Sequence, residues 1–215
     1  MNVPKKSGIV FVIAGTVLIL SALSLFFYNR YEDEKAGQAA ENLLSDVQSF
    51  IEEKETTSPT QPEETNPSET LDPELPVTEI DGYEYVGYLS IPDLELELPV
   101  MSEWDYNRLK IAPCRQFGSS RTDDLVIAAH NYKKHFGRLS QLEIGDVILF
   151  TDMDGIANTY KVAVVDTLAP TEVEAVQNSD YDLVLYTCTY GGKTRVTVFC
   201  DRTEEPMTVR TDHVQ

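Results

Sequence analysis

Residues 183–199 read Leu183-Val-Leu-Tyr-Thr-Cys188-Thr-Tyr-Gly191-Gly192-Lys-Thr-Arg195-Val-Thr-Val-Phe199. Two runs rich in apolar and β-branched residues flank a Gly-Gly pair, the pattern of strand, tight turn and strand. Gly191 and Gly192 supply the positive φ angles that a short hairpin turn demands. With these glycines at the centre, Tyr190 faces Lys193, Thr189 faces Thr194, and Cys188 faces Arg195. Directly opposed residues share one face of the sheet, with Cβ atoms about 4.5–5.5 Å apart. The spacing therefore sets a guanidinium beside a thiol. A fixed cation favours the thiolate, and the same group can donate to a developing oxyanion. A small buried cysteine next to a surface arginine would give the same spacing.

Further short strand signals lie upstream, at Tyr85–Ile91, Leu94–Val100, Leu125–Ala129, Val147–Thr151, Thr159–Leu168 and Asp182–Thr187, with Arg195–Cys200 closing the series. Pro92-Asp93, Gly145-Asp146 and Asp154-Gly155 punctuate them as turns. Ser102–Ile111 has helical spacing, with Ser102 as its N-cap. Many short strands and few helices indicate a mainly β domain, a barrel or a sandwich.

Several of these segments resemble the sortase family. Thr187-Cys188-Thr189 with Arg195 shortly after is similar to the sortase Thr-Cys pair and its following arginine. Ala129-His130-Asn131 resembles the histidine motif. The stretch from Gly87 to Val100 resembles the two opening strands, and the stretch from Phe136 to Asp146 resembles the segment after the histidine. The pieces occur in family order across about residues 83–202. The resemblance implies an eight-stranded β-barrel with short helices and a Cys188, His130 and Arg195 site. Cys188 would be the nucleophile, His130 would protonate the leaving amine, and Arg195 would stabilise the oxyanion. Thr187, Thr189 and Asn131 would border the substrate. The implied partners are a sorting-signal peptide of a surface protein and an amine of peptidoglycan or of a pilin, in a Gram-positive cell. No cofactor is implied. Pilus-building members often carry an aromatic lid after an Asp-Pro pair and a second membrane segment near the C-terminus. Here Asp72-Pro73 is followed by Glu74, and no apolar run follows Cys200, so the subclass stays open.

The N-terminal region fits that setting. No charged residue occurs from Gly8 to Tyr28. About 20 apolar residues span the roughly 30 Å core of a bilayer, and the run exceeds the h-region of a secretory signal, its rival reading. Lys5 and Lys6 precede the run, which keeps the N-terminus cytoplasmic by the positive-inside rule. The expected organisation is a leader at 1–7, a transmembrane anchor at 8–28, an acidic, partly disordered extracellular stalk at 29–82, and a catalytic domain at 83–215. Within the stalk, Ala36–Ile51 has the apolar spacing of a short amphipathic helix, and residues 52–79, rich in Glu, Thr, Ser and Pro, read as a flexible spacer.

The formal net charge of −19 excludes a nucleic-acid partner, since phosphate binding needs basic surface. Residues 32–80 alone hold 14 acidic side chains against 2 Lys. The chain has three cysteines, an odd number that leaves at least one thiol unpaired, with a Cys114–Cys200 disulfide left open. No spacing suits zinc. Asp152-Met-Asp154-Gly155 reads as a hairpin turn rather than a calcium loop. Some sortases bind calcium through loop acids, which Glu172, Glu174 and Asp180 could supply, but no metal is expected. His135, in the polar loop Tyr132–His135, reads as solvated, and His213 as a tail residue. Two other function classes share these features: a non-enzymatic surface-binding module with an incidental Cys188, and a cysteine protease with water as acceptor.

Overall fold

The computed structural model describes residues 5–57, 72–172 and 176–204. A long helix, α1, runs from Lys5 to Thr57. Among the described residues nine strands follow: β1 (Thr78–Ile80), β2 (Tyr83–Ile91), β3 (Leu96–Met101), β4 (Cys114–Phe117), β5 (Leu125–Ala128), β6 (Val147–Asp152), β7 (Ala157–Leu168), β8 (Leu183–Cys188) and β9 (Arg195–Thr203). The sheet order is β1-β2-β3-β4-β5-β8-β9-β7-β6, and β2 also pairs with β6. That last pairing closes β2 to β9 into an eight-stranded barrel, leaving β1 as an outlying partner of β2. The β3–β4 and β5–β8 pairs are parallel and the others antiparallel. Closure depends on Gly87. A Cβ there would lie 2.0 Å from the Thr151 carbonyl oxygen, and the β2–β3 register shifts at that point.

Alternation along the strands separates two apolar layers. Leu89, Leu98, Ile127, Leu183, Leu185 and Val198 fill the barrel interior. Val126, Val184 and Phe199 form a smaller layer on the outer face, with Phe117 and Tyr186 packed against it. A third layer lies beneath α1, where Val47 and Ile51 meet Tyr85, Met101, Cys114 and Met153.

Over its first half α1 is exposed and apolar, long enough to cross a bilayer. Its second half is docked on the barrel. Ala36, Ala40, Leu44, Val47 and Ile51 are all buried, a stripe at spacings of four, four, three and four that keeps one helix face inward. At the far end Lys54 pairs with Asp154 at 2.5 Å. Within the segment expected to be stalk, α1 thus continues as a helix to Thr57 and is docked on the barrel from Ala36 to Lys54, and 78–80 is a strand; residues 58–71 lie outside the described residues.

The helix expected over Ser102–Ile111 is replaced by turns, with one 3₁₀ turn at Arg108–Lys110. Ser102 does not cap it: its hydroxyl donates to Glu84 at 3.2 Å. Asp105 instead accepts from the backbone N–H groups of Asn107 and Arg108, which sets the turn three residues later and leaves no length for an α-helix. The Asp152–Gly155 turn is held by Arg121, which binds Asp152 at 2.9 Å and Asp154 at 2.5 Å. These carboxylates are committed to cations of the chain itself, in keeping with a hairpin turn.

Candidate active site

The site sits at the ends of three adjacent strands. β5 and β8 are parallel neighbours, with Ala128 opposite Tyr186. Beyond it the Ala129 N–H donates to the Tyr186 carbonyl at 3.2 Å, and the same register continued one residue more would bring His130 toward Cys188. On the other side of β8, Cys188 is the partner of Arg195 on β9. Gly191 and Gly192 adopt φ of 83° and 71°, and the Thr189 N–H donates to the Thr194 carbonyl at 3.0 Å. The hairpin register read from the sequence is therefore the one formed. Period-two alternation puts Val184, Tyr186 and Cys188 on the outer face of the barrel, together with Arg195 and Thr197.

Cys188 is the one cysteine with solvent access; Cys114 and Cys200 are fully buried, and all three are free. Burial pushes the Cys114 thiol up to about 12 and the Cys200 thiol higher still, which leaves both inert as nucleophiles. Arg195 Nη1 donates to the carbonyls of Gly192 and Thr194, both at 3.0 Å. The guanidinium rests on the hairpin's own turn.

His130 is held by the loop that follows it. Its carbonyl accepts from Phe136 N–H at 3.3 Å, and the Tyr132 carbonyl accepts from His135 and Gly137. Gly137 is needed for this tight loop, because a Cβ there would lie 2.7 Å from the Tyr132 oxygen. The Asn131 amide oxygen packs against the same glycine. The imidazole stacks on Tyr132 at 4.2 Å, with 10° between the planes. Burial, and then the charge of Lys110, lower its pKa.

Thr187 faces inward. Its hydroxyl donates to the Ala129 carbonyl at 2.9 Å, tying the end of β8 to the end of β5. The Thr189 hydroxyl is engaged with Thr194 at 2.9 Å. Both threonine side chains thus brace the site, and what they leave toward a ligand beside Cys188 is backbone. A cavity of about 200 Å³ opens on the outer face against Arg195, with Tyr186, Phe117, Leu168 and Trp104 in its wall. Tyr186 was not singled out from the sequence, although its position two residues before Cys188 puts it on the same face. Its hydroxyl donates to Gln116, and burial raises its pKa to about 12.

His135 is not solvated: it is fully buried. Its loop is folded under α1, with the ring edge-on to Tyr132 at 5.5 Å and the Ala36 backbone nearby. Neither ring nitrogen makes a well-formed hydrogen bond. Burial lowers its pKa to about 4, with Ala36 and Asp33 only partly opposing. The folded-state pKa is below the ordinary 6.5, so the unfolded chain binds this proton more readily. The stabilisation is complete above about pH 6.5 and is lost as pH falls toward about 4, by up to roughly 3 kcal/mol. Thermal melts between pH 7 and pH 4 should show this slope, and His135→Phe should flatten it. The carboxylates with lowered pKa, Asp105 and Asp154, act at lower pH.

Glu172 accepts from the Ala169 N–H, while Glu174 and His213 lie outside the described residues. Among the described residues no three His, Cys, Asp or Glu side chains gather into a metal-binding cluster.

The sortase domain profile matches residues 89–203. Among solved structures, sortase A from Corynebacterium diphtheriae is similar at 19% identity and a TM-score of 0.54; the match covers 59% of this chain and 64% of that one. This chain thus spans just under two thirds of the Corynebacterium protein. Sortase C1 from Streptococcus agalactiae matches at 24% identity and a TM-score of 0.52, covering 77% of this chain and 92% of that one. Sortase C2 of pilus island 1 from group B Streptococcus matches at 22% and 0.51, covering 58% and 76%. At these identities the structures speak for the fold. No curated protein sequence matches. The profile match covers more than half of the chain and the barrel is the same closed eight-stranded one, so the chain belongs to the sortase family.

Proposed function

We propose that this protein is a membrane-anchored sortase-type cysteine transpeptidase. It would cleave a sorting signal in a surface protein and pass the acyl group to an amine of peptidoglycan or of a pilin. What supports the reading is the Cys188–Arg195 pairing across β8 and β9, a parallel β5–β8 register that leads from Ala128 toward His130, and a cavity on the outer face against Arg195. Residues 8–28 would be the anchor and 83–215 the catalytic domain, outside the cell.

The ordering of proton transfers follows from His130. Its lowered pKa favours a neutral imidazole at pH 7. It therefore takes the Cys188 proton as Sγ attacks the scissile carbonyl, and the resulting imidazolium gives that proton to the leaving amine. Arg195 exchanges its bonds to Gly192 and Thr194 for the substrate carbonyl, whose negative charge it stabilises in the tetrahedral species. The thioester that remains is resolved by an incoming amine, which regenerates the thiol.

Alkylation of the folded chain tests the nucleophile. A small iodoacetamide should modify Cys188 and spare Cys114 and Cys200. Labelling spread over all three cysteines, or absent at Cys188, would favour a binding module with an incidental thiol.

A further inference from the structure

α1 continues without a break from the apolar run that ends at Tyr28 into the half docked on the barrel, and no proline interrupts residues 29–57. The first part of the barrel that it meets is the His130 loop. Lys134 N–H donates to Asp33 Oδ1 at 3.2 Å. The Lys134 stem lies over Gly37, where a Cβ would sit 2.8 Å from Lys134 Cγ. His135 is buried at the same turn. Asp33 and Gly37 are five and nine residues beyond Tyr28, about 8–13 Å along the helix. The polar layer on each side of a bilayer core is about 5–8 Å deep, and a lysine stem adds further reach. At the opposite end, Lys54 pairs with Asp154, about 39 Å from Tyr28 along the axis. Docked at both ends, the barrel has a fixed height and a fixed orientation.

Exposed cations also gather at the end nearest the membrane, in a chain of net charge −19. Lys110, Lys133 and Lys134 are exposed, and Arg30 and Lys35 flank them on α1. Glu32, Asp33 and Glu34 oppose these five cations, and Glu34, Glu41, Glu95 and Glu97 line a cleft with Lys134, which leaves Lys133 as the loop lysine outside that cleft. The charges of Glu32 and Asp33 reach Tyr132, the ring stacked on His130.

We infer that the Tyr132–Lys134 rim is a second membrane contact, resting on anionic phospholipid headgroups through Lys133 and Lys134, so that the His130 side of the site opens at the bilayer surface. This rests on reading residues 8–28 as the anchor. A site at that height meets substrates and acceptors held in the same membrane, and a bulk-phase peptide must approach it along the headgroup layer.

The test uses the full chain in vesicles of phosphatidylcholine with phosphatidylglycerol. A Cys188→Ala background leaves only buried cysteines, so a fluorophore goes to Lys133→Cys or, separately, to Glu52→Cys near the far end of α1. A nitroxide is placed high on the acyl chain of either lipid. The label at 133 should lose most of its emission and the label at 52 almost none. At equal mole fraction, nitroxide on phosphatidylglycerol should quench position 133 more than nitroxide on phosphatidylcholine. No quenching at 133, or equal quenching at 133 and 52, would overturn the orientation. Quenching indifferent to lipid charge would overturn the role of the lysines. Resistance of the chain to carbonate extraction is measured in parallel, which separates failure of the anchor reading from failure of this one. Neither outcome depends on catalytic activity.

Discussion

Cys188→Ala should abolish both cleavage and amine transfer in a chain that still folds, because no thioacyl species can form without Sγ. The cysteine is at the last position of β8, on the outer face, and its replacement opens no cavity in the barrel core. Arg195→Lys keeps the charge but loses the planar fork of donors. Removing one oxyanion donor typically costs on the order of 10²–10³ in rate, and the lysine variant should fall in that range. His130→Ala should slow turnover while Cys188 still reacts with small alkylators. Turnover of a cognate sorting peptide, with circular dichroism as the folding control, checks all three. Full activity in a folded Cys188→Ala chain would remove the nucleophile from the mechanism.

The second large effect concerns α1. A catalytic domain cut at residue 52 looks natural from composition, because the spacer begins there. In the structure that cut removes Ala36, Ala40, Leu44, Val47 and Ile51, all buried against the barrel. Leu44, Val47 and Ile51 alone correspond to roughly 5–9 kcal/mol of burial as an upper estimate, against a total stability of about 5–15 kcal/mol for a typical domain. The cut also uncovers His135 and the layer around Tyr85 and Met153. A chain beginning at residue 30 should melt cooperatively, and one beginning at residue 52 should be largely unfolded or aggregated at 37 °C. Equal melting temperatures for the two would mean that the docked half of α1 contributes nothing to stability.

What could be read from the sequence followed local rules. Gly191-Gly192 sets a hairpin, the hairpin sets a register, and the register pairs Cys188 with Arg195. Seven strand segments are visible as β-branched or apolar runs between turn residues. The misreadings share one cause, which is tertiary contact between distant segments. Ala36–Ile51 shows helical spacing, but nothing local reveals that its buried face meets β2 and β3 rather than solvent. His135 lies among Tyr132, Lys133 and Lys134 and looks exposed until α1 covers it. The Ser102 hydroxyl is drawn to Glu84, a partner 18 residues away, and so gives up the cap. The strand β4 is as short as β5 but reads Cys-Arg-Gln-Phe, without the apolar run Leu-Val-Ile-Ala that marks β5. The approach of His130 to Cys188 that the family resemblance implies would rest on the parallel β5–β8 pairing, which spans more than 50 residues and leaves no local signal.

The central claim is that Cys188 carries an acyl group from a peptide to an amine. Intact-protein mass spectrometry tests it most directly, on the full chain in detergent mixed with sorting peptides, with and without a small primary amine. Without amine, a covalent adduct equal to the N-terminal peptide fragment should accumulate and map to Cys188. With amine, the adduct should disappear as a peptide–amine conjugate forms. Cleavage with no adduct on Cys188, or hydrolysis products alone at saturating amine, would contradict it.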